Sequence, residues 1–210
     1  MNYILGIDES GKSDLMGSLV VSGALSNFSV DHLIIKDSKR TDFKKSELII
    51  NQLKDKVIFN CETADSELID YYVFSKEKNL NILLIEKISD CCAYFLNKYP
   101  GIIEIYVDCP MNNEKKFNIF LTRAILERLE NKELEFKLIV KHKADELYKI
   151  VALASLHAKV IKTKEFLKIK EKIKNEFFTE IKNGSVSDPL SISFSKNFPL
   201  NPYTRKSWKI

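Results

Sequence analysis

Residues 3–9 read Tyr-Ile-Leu-Gly-Ile-Asp-Glu. A short apolar run of this kind fits a buried strand, and this one stops on two adjacent carboxylates ahead of Ser10-Gly11. A strand that needs only a solvated end can use Lys, Asn or Ser. Neighbouring acids repel, so something must offset the repulsion. The pattern recurs at Ile102–Val107, an apolar run that ends on Asp108 before Cys109-Pro110. A further run, Glu135–Val140, is followed shortly by Asp145.

Between these runs the pattern alternates. Gly17–Ala24 and Val57–Cys61 read as two more strands. Helical spacing of apolar residues predicts helices after a cap at Thr41 or Asp42 to about Lys54, over Asp65–Ser75, over Leu80–Lys98 and over Glu114–Leu129. Asp145 is expected to open a helix with Leu147, Ile150, Val151, Ala154 and Ala158 on its apolar face. A separate lysine-rich helix is expected from about Thr163 to Ile181, with loops beyond it. The sequence therefore predicts an α/β fold, a five-stranded mixed sheet flanked by helices, with a basic helical and loop-rich C-terminal part from about residue 163. Residues 1–210 read as one domain without repeats.

Composition narrows the class. No apolar run approaches the roughly 20 residues that span a bilayer. No basic, apolar and small-residue succession marks a secretory signal, so a cytoplasmic location is expected. Cys91 and Cys92 are adjacent and no C-x-x-C pair occurs, which disfavours both a disulfide framework and a zinc site. The net charge is only +4, yet lysines outnumber acids about two to one from Lys137 to Lys182. That asymmetry suits a surface that meets phosphates. Lys is abundant throughout the chain, so charge alone leaves an ordinary solvated surface as the simpler reading.

In an open α/β sheet, strand ends of one polarity gather in one crevice. If the first and fourth strands are adjacent and parallel, Asp8 and Asp108 are neighbours, and Asp145 can lean over the same edge. Glu9 should face away from Asp8 by strand alternation, and it joins the cluster only because the strand stops at Gly11. Four such acids call for divalent, oxygen-seeking cations, Mg²⁺ or Mn²⁺, and two ions can serve an in-line phosphodiester displacement. Each position also has a plainer reading: a helix cap for Asp145, a turn residue for Asp108, a solvated strand end for Asp8 and Glu9.

The flanking residues carry a resemblance. Gly6-Ile7-Asp8-Glu9-Ser10-Gly11-Lys12 resembles the opening motif of the type 2 ribonuclease H family, GIDEAGRG in ribonuclease HII, with a form of DESGK nearer to ribonuclease HIII. Lys36-Asp37-Ser38-Lys39 is similar to the family's DSK loop. His142-Lys143-Ala144-Asp145 and Val151–Val160 look like its HKAD and AASIxAKV signatures. Ser187-Asp188-Pro189 and Arg205-Lys206-Ser207-Trp208-Lys209 resemble the archaeal GYPSDP segment and closing RRSWK. The blocks run in family order from residue 6 to residue 209.

The resemblance implies a ribonuclease H-like fold and cleavage of the RNA strand of an RNA–DNA hybrid, leaving 5′-phosphate and 3′-hydroxyl ends. Asp8, Glu9, Asp108 and Asp145 are then the metal-holding catalytic acids. Gly11, Lys12 and Ser13 stand where the family's backbone clamp reads the 2′-hydroxyl, and Lys39 of the DSK loop is a candidate substrate contact. Lys143, Lys149, Lys159 and Lys162 are candidate phosphate contacts beside the acid crevice, with an ordinary solvated helix lysine the plainer reading of each. Two departures matter: Lys12-Ser13 replaces Arg-Gly in the clamp, and Ser185 stands where the family has a tyrosine that stacks on a DNA sugar. Longer RNA stretches are therefore the expected substrate, and cleavage at a single embedded ribonucleotide is not. A monomer is expected, with no membrane partner, and Trp208-Lys209-Ile210 shows no clamp-binding peptide that would name a replication or repair partner. The first motif begins at residue 6, so binding is expected from the catalytic domain itself. His142 and His157 are candidate proton carriers that a metal-activated water does not need, and Cys109, Tyr148 and Trp208 read as packing residues. A DNA-specific nuclease on the same fold and a non-catalytic nucleic-acid-binding protein are the competing readings.

Overall fold

The structure, a computed structural model, describes residues 3–27, 30, 42–99 and 101–208. Five strands form one sheet: β1 (Tyr3–Ser10), β2 (Leu19–Ser26), β3 (Ile58–Ala64), β4 (Ile102–Asp108) and β5 (Lys137–Lys141). Their order is β3-β2-β1-β4-β5. β2 pairs antiparallel with both β1 and β3, whereas β4 pairs parallel with both β1 and β5. The mixed sheet and the five strands match the sequence expectation.

Strand alternation sorts the layers. Leu5, Ile7, Ile105 and Val107 face one side and pack with α3 (Leu80–Lys98) and α4 (Glu114–Arg128). Ile4 and Tyr106 face the other side and pack with α1 (Phe43–Leu53) and the long helix α6 (Lys149–Phe177). Asp42, one of the two expected caps, accepts from the Lys45 N–H at 2.9 Å, and Asp65 caps α2 (Ser66–Phe74) in the same way. Each cap satisfies an N–H that a helix start leaves without a partner.

Three expectations are corrected. The helix expected to open at Asp145 is broken: a single turn, α5 (Ala144–Leu147), precedes α6, with Tyr148 extended between them. Tyr148 packs instead on Tyr106, ring centroids 4.4 Å apart. The break rotates Leu147 off the apolar face, and it is exposed. Next, the lysine-rich helix is no separate element. α6 runs unbroken for 29 residues through Thr163, because no Gly or Pro interrupts it and Lys and Glu are good helix formers. Last, the segment expected as loops contains α7 (Pro189–Asn197), with Asp188 as N-cap and Pro189 in the first turn.

His157 lies in α6 under the sheet. Its Nδ1 is 2.7 Å from Ser22 Oγ, and its ring stacks on Phe59 at 4.7 Å. Ser22 Oγ also lies within hydrogen-bond distance of the Asn60 carbonyl, which can only accept. Burial, with Lys164 nearby, pulls the imidazole down to about 4, so it is neutral at pH 7. A base whose folded pKa is depressed destabilises the fold as pH falls from the unfolded value near 6.5 toward 4. Unfolding free energy should drop by about 2 kcal/mol between pH 7 and pH 5 from this group alone. Urea titrations of the wild type and His157→Gln will show it as a shallower pH slope in the variant. Equal slopes would remove His157 from the account.

Candidate metal centre

Parallel pairing sets the first two acids side by side. Ile7 registers with Val107, so Asp8 and Asp108 are the next residues on adjacent strands and share the α6 face. Glu9 belongs to the opposite face by alternation, but β1 ends within one residue, at Ser10. One carboxylate oxygen from each of Asp8, Glu9 and Asp108 lies within 4.8 Å of the others. Among the described residues this is the one such group of three acids, histidines or cysteines.

The electrostatics are those of crowded, dehydrated anions. Burial raises Asp8 well above the usual carboxylate range, and the charges of Glu9 and Asp108 push it the same way. A hydrogen bond from Ser155 and the Glu9 N–H, at 2.7 Å, work against the shift. Glu9 is raised as well, by burial and then by Asp108, while Lys12 lowers it. Glu9 Oε2 is buried without a hydrogen-bond partner among the described residues. A carboxylate oxygen stripped of water and left unpaired among like charges is costly. A divalent cation with oxygen ligands satisfies that oxygen and cancels the repulsion. The residues present fit such an ion.

The other site residues expected from sequence take varied places. Asp145 lies in α5, half-buried, outside the 4.8 Å group. What α5 turns toward β4 is its first backbone amide: the Ala144 N–H donates to Asp108 Oδ1 at 2.6 Å. Lys143, in left-handed conformation at φ 55°, precedes that turn, and its exposed ammonium faces Glu146 at 3.7 Å. Lys12 donates from Nζ to the Pro110 carbonyl at 2.7 Å, which ties the end of β1 to the turn after β4. Its charge acts inward on Glu9, a use that sequence reasoning did not foresee. Lys162 pairs with Asp14 at 2.8 Å. Lys159 is half-buried in α6. Gly11 has φ 89°, and a Cβ there would meet the Ser18 carbonyl at 2.5 Å, so the clamp needs its glycine. Ser13 is exposed. Lys39 lies outside the described residues.

Sequence reasoning missed Ser155 as a partner of Asp8. A serine inside the apolar run Ala154-Ser155-Leu156 was the available signal, since a buried hydroxyl must find a partner. His157 is locked under the sheet, and the His142 backbone N–H donates to Glu114 Oε1 at 2.7 Å.

Comparison with known proteins adds to this geometry. The family model described as Ribonuclease HII matches residues 5–210. A ribonuclease HII of Methanococcus maripaludis is 32% identical over 219 aligned positions, covering 98% of this chain and 83% of its own. Among solved structures, ribonuclease HII from Archaeoglobus fulgidus, determined in a complex with PCNA, matches with a TM-score of 0.78 and 27% identity. That alignment covers 99% of this chain and 95% of the other. A ribonuclease HIII determined with Mn²⁺ shares the fold at a TM-score of 0.76 and 14% identity, over 98% of this chain and 67% of its own.

Proposed function

The chain belongs to the ribonuclease HII family, endonucleases that cut the RNA strand of RNA–DNA hybrids, and from that premise we propose that Asp8, Glu9, Asp108 and Asp145 carry the reaction with two divalent ions. The observation that carries the proposal is the triad of carboxylates within 4.8 Å at two parallel strand ends, with Glu9 Oε2 buried and unpartnered. Asp8, Glu9 and Asp108 would hold the first ion. Asp145, in the turn whose amide binds Asp108, would complete the set. Mg²⁺ and Mn²⁺ both suit an all-oxygen donor set. When bound, such ions ease deprotonation of water and offset charge on the phosphate oxygens.

The chain's own groups do the rest. The Ser155 hydroxyl and the Glu9 amide hold Asp8 in place, and the Ala144 amide holds Asp108. Lys12 supplies fixed positive charge beside Glu9. We read residues 1–210 as one catalytic unit that acts as a monomer in the cytoplasm, and no helix among the described residues is long and apolar enough to cross a membrane. Since the A. fulgidus relative was determined with PCNA, a sliding clamp is the partner class we would test first.

Substrate choice follows from the two departures noted in the sequence. Ser13 places a side chain on the clamp, and Ser185 offers a hydroxyl, 2.9 Å from that of Ser187, where an aromatic would stack. We propose preference for runs of ribonucleotides, cut to 5′-phosphate and 3′-hydroxyl ends. End-labelled duplexes holding one or at least four consecutive ribonucleotides will test this in Mg²⁺ and in Mn²⁺. The longer run should be cut at least about tenfold faster, a difference of 1.4 kcal/mol in the barrier. Equal rates would show that Lys12 and the loop backbone suffice at a single ribonucleotide.

A further inference from the structure

Arg205 is the largest fully buried side chain among the described residues, and it lies in neither the sheet nor the acid cluster. Its Nε and Nη2 donate to the Gly17 carbonyl at 3.2 and 2.9 Å, and Nη1 donates to the Lys12 carbonyl at 3.0 Å. Its backbone N–H donates to the Leu15 carbonyl at 2.9 Å. The guanidinium rests on the Trp208 ring, 5.1 Å from the centroid, and the charges of Asp14 and Asp70 favour it. Asp70 in turn accepts from the Lys206 and Ser207 amides, which holds the tail in place.

All four bonds from Arg205 go to one short loop. That loop begins and ends on left-handed glycines, Gly11 at φ 89° and Gly17 at φ 85°. It starts two residues after Glu9, past Ser10 alone, and Lys12 joins it to the turn after β4. It therefore forms the rim of the acid crevice. Burying a guanidinium costs several kcal/mol even when it is paired. Closing the loop alone needs no charge. What a planar fork adds is direction, because it fixes two carbonyls at once. In a trans peptide the C=O of one residue and the N–H of the next point opposite ways. With the Lys12 carbonyl drawn in to Arg205, the Ser13 N–H is turned outward. Ser13 is exposed, and its N–H has no backbone partner among the described residues.

We propose that Arg205 is a positioning residue for substrate: by holding the Lys12 and Gly17 carbonyls inward, it presents the Ser13 N–H to the ribose-bearing strand beside the acids. This deepens the hybrid-cleaving reading and rests on it. Arg205→Gln and Arg205→Lys are the variants to make. Hybrid KM and kcat, Mn²⁺ affinity by electron paramagnetic resonance, and the emission of Trp208, the one tryptophan in the chain, are the readouts.

Arg205→Gln should raise KM for the hybrid about tenfold with kcat within about threefold and Mn²⁺ affinity unchanged. Arg205→Lys keeps the charge but not the fork, and it should fall between the two. Should the Gln variant fail to fold by circular dichroism, the Lys variant alone carries the test, with a KM rise of about threefold. An unchanged KM in a folded variant overturns the proposal. So does a loss of Mn²⁺ affinity in step with KM, which would make Arg205 a general support of the crevice. Failure of the parent reading looks different: the wild type would not cut the hybrid, or Asp108→Asn would cut it equally well.

Discussion

Asp8→Asn is expected to lower hybrid cleavage by at least about a thousandfold and, at the same time, to make the metal-free protein more stable. Both effects have one cause. Asp8 is buried, hydrogen-bonded to Ser155 and the Glu9 amide, and pressed against the charges of Glu9 and Asp108. An amide oxygen can keep the two hydrogen bonds but carries no charge, so repulsion and the cost of a buried anion disappear together. A gain of about 1 kcal/mol in metal-free stability is the order expected when a buried charge is replaced by a neutral group of the same shape. Mg²⁺ would stabilise the wild type by mass action and the variant far less. Thermal unfolding with and without Mg²⁺ separates these effects. If the variant were less stable without metal and gained as much from Mg²⁺, the acids would be a structural network and no ion site.

The same sign argument covers pH. Asp8 and Glu9 are raised above their ordinary values, so without metal the unfolded chain ionises first as pH climbs, and stability falls until both folded groups have ionised. Added Mg²⁺ should flatten that decline. His157 acts in the opposite direction, since its contribution is lost as pH falls toward about 4. The metal-free protein should thus show two opposed slopes, one removed by His157→Gln and the other reduced by Asp8→Asn to the part that Glu9 contributes.

Gly6→Ala should be among the most damaging single-methyl changes in the chain. A Cβ at Gly6 would lie 2.4 Å from both the carbonyl carbon and the oxygen of Ile150, and 2.6 Å from the Val151 nitrogen. These are backbone atoms of α6, so no side chain can turn away to make room. The helix must lift from β1, and the separation would spread to Asp8, two residues on, and its Ser155 partner. Overpacking of this kind typically costs 1–3 kcal/mol, and a backbone clash puts it at about 3 kcal/mol or more. Gly17→Ala provides the contrast in steric terms, since its Cβ would meet only side-chain atoms at 3.7 Å, although φ 85° adds strain of its own. Urea unfolding of both variants should rank Gly6→Ala as the worse. The reverse order would mean that α6 can shift along β1 at little cost.

The strands were legible because their apolar runs are short and flanked by breakers, and two of them, β1 and β4, run into acids. Pairing of β1 with β4 was the assumption that brought Asp8 to Asp108, and the parallel register bears it out. Glu9 joins them where the strand stops, as its place before Ser10-Gly11 implied. Helix junctions were less legible. Tyr148 breaks the first turn from α6 without a Gly or Pro to announce it, held by packing on Tyr106 from a distant strand. Thr163 begins no new helix because nothing local ends the preceding one. Lys12 and Arg205 were hardest to read. A lysine beside acids and an arginine in a basic tail both suggest phosphate contacts, yet the fold turns one toward the Pro110 carbonyl and buries the other against the loop between Gly11 and Gly17. Those uses depend on which carbonyls tertiary structure leaves unpaired, and composition does not carry that information.

The most direct test of the metal-centre account is cleavage of an end-labelled RNA–DNA hybrid, beside the same sequence as duplex DNA, by the wild type and Asp108→Asn in Mg²⁺. The account predicts cutting of the hybrid alone, lost in the variant and on chelation of the metal. Equal cutting of both duplexes, or an Asp108→Asn protein as active as the wild type, would contradict it.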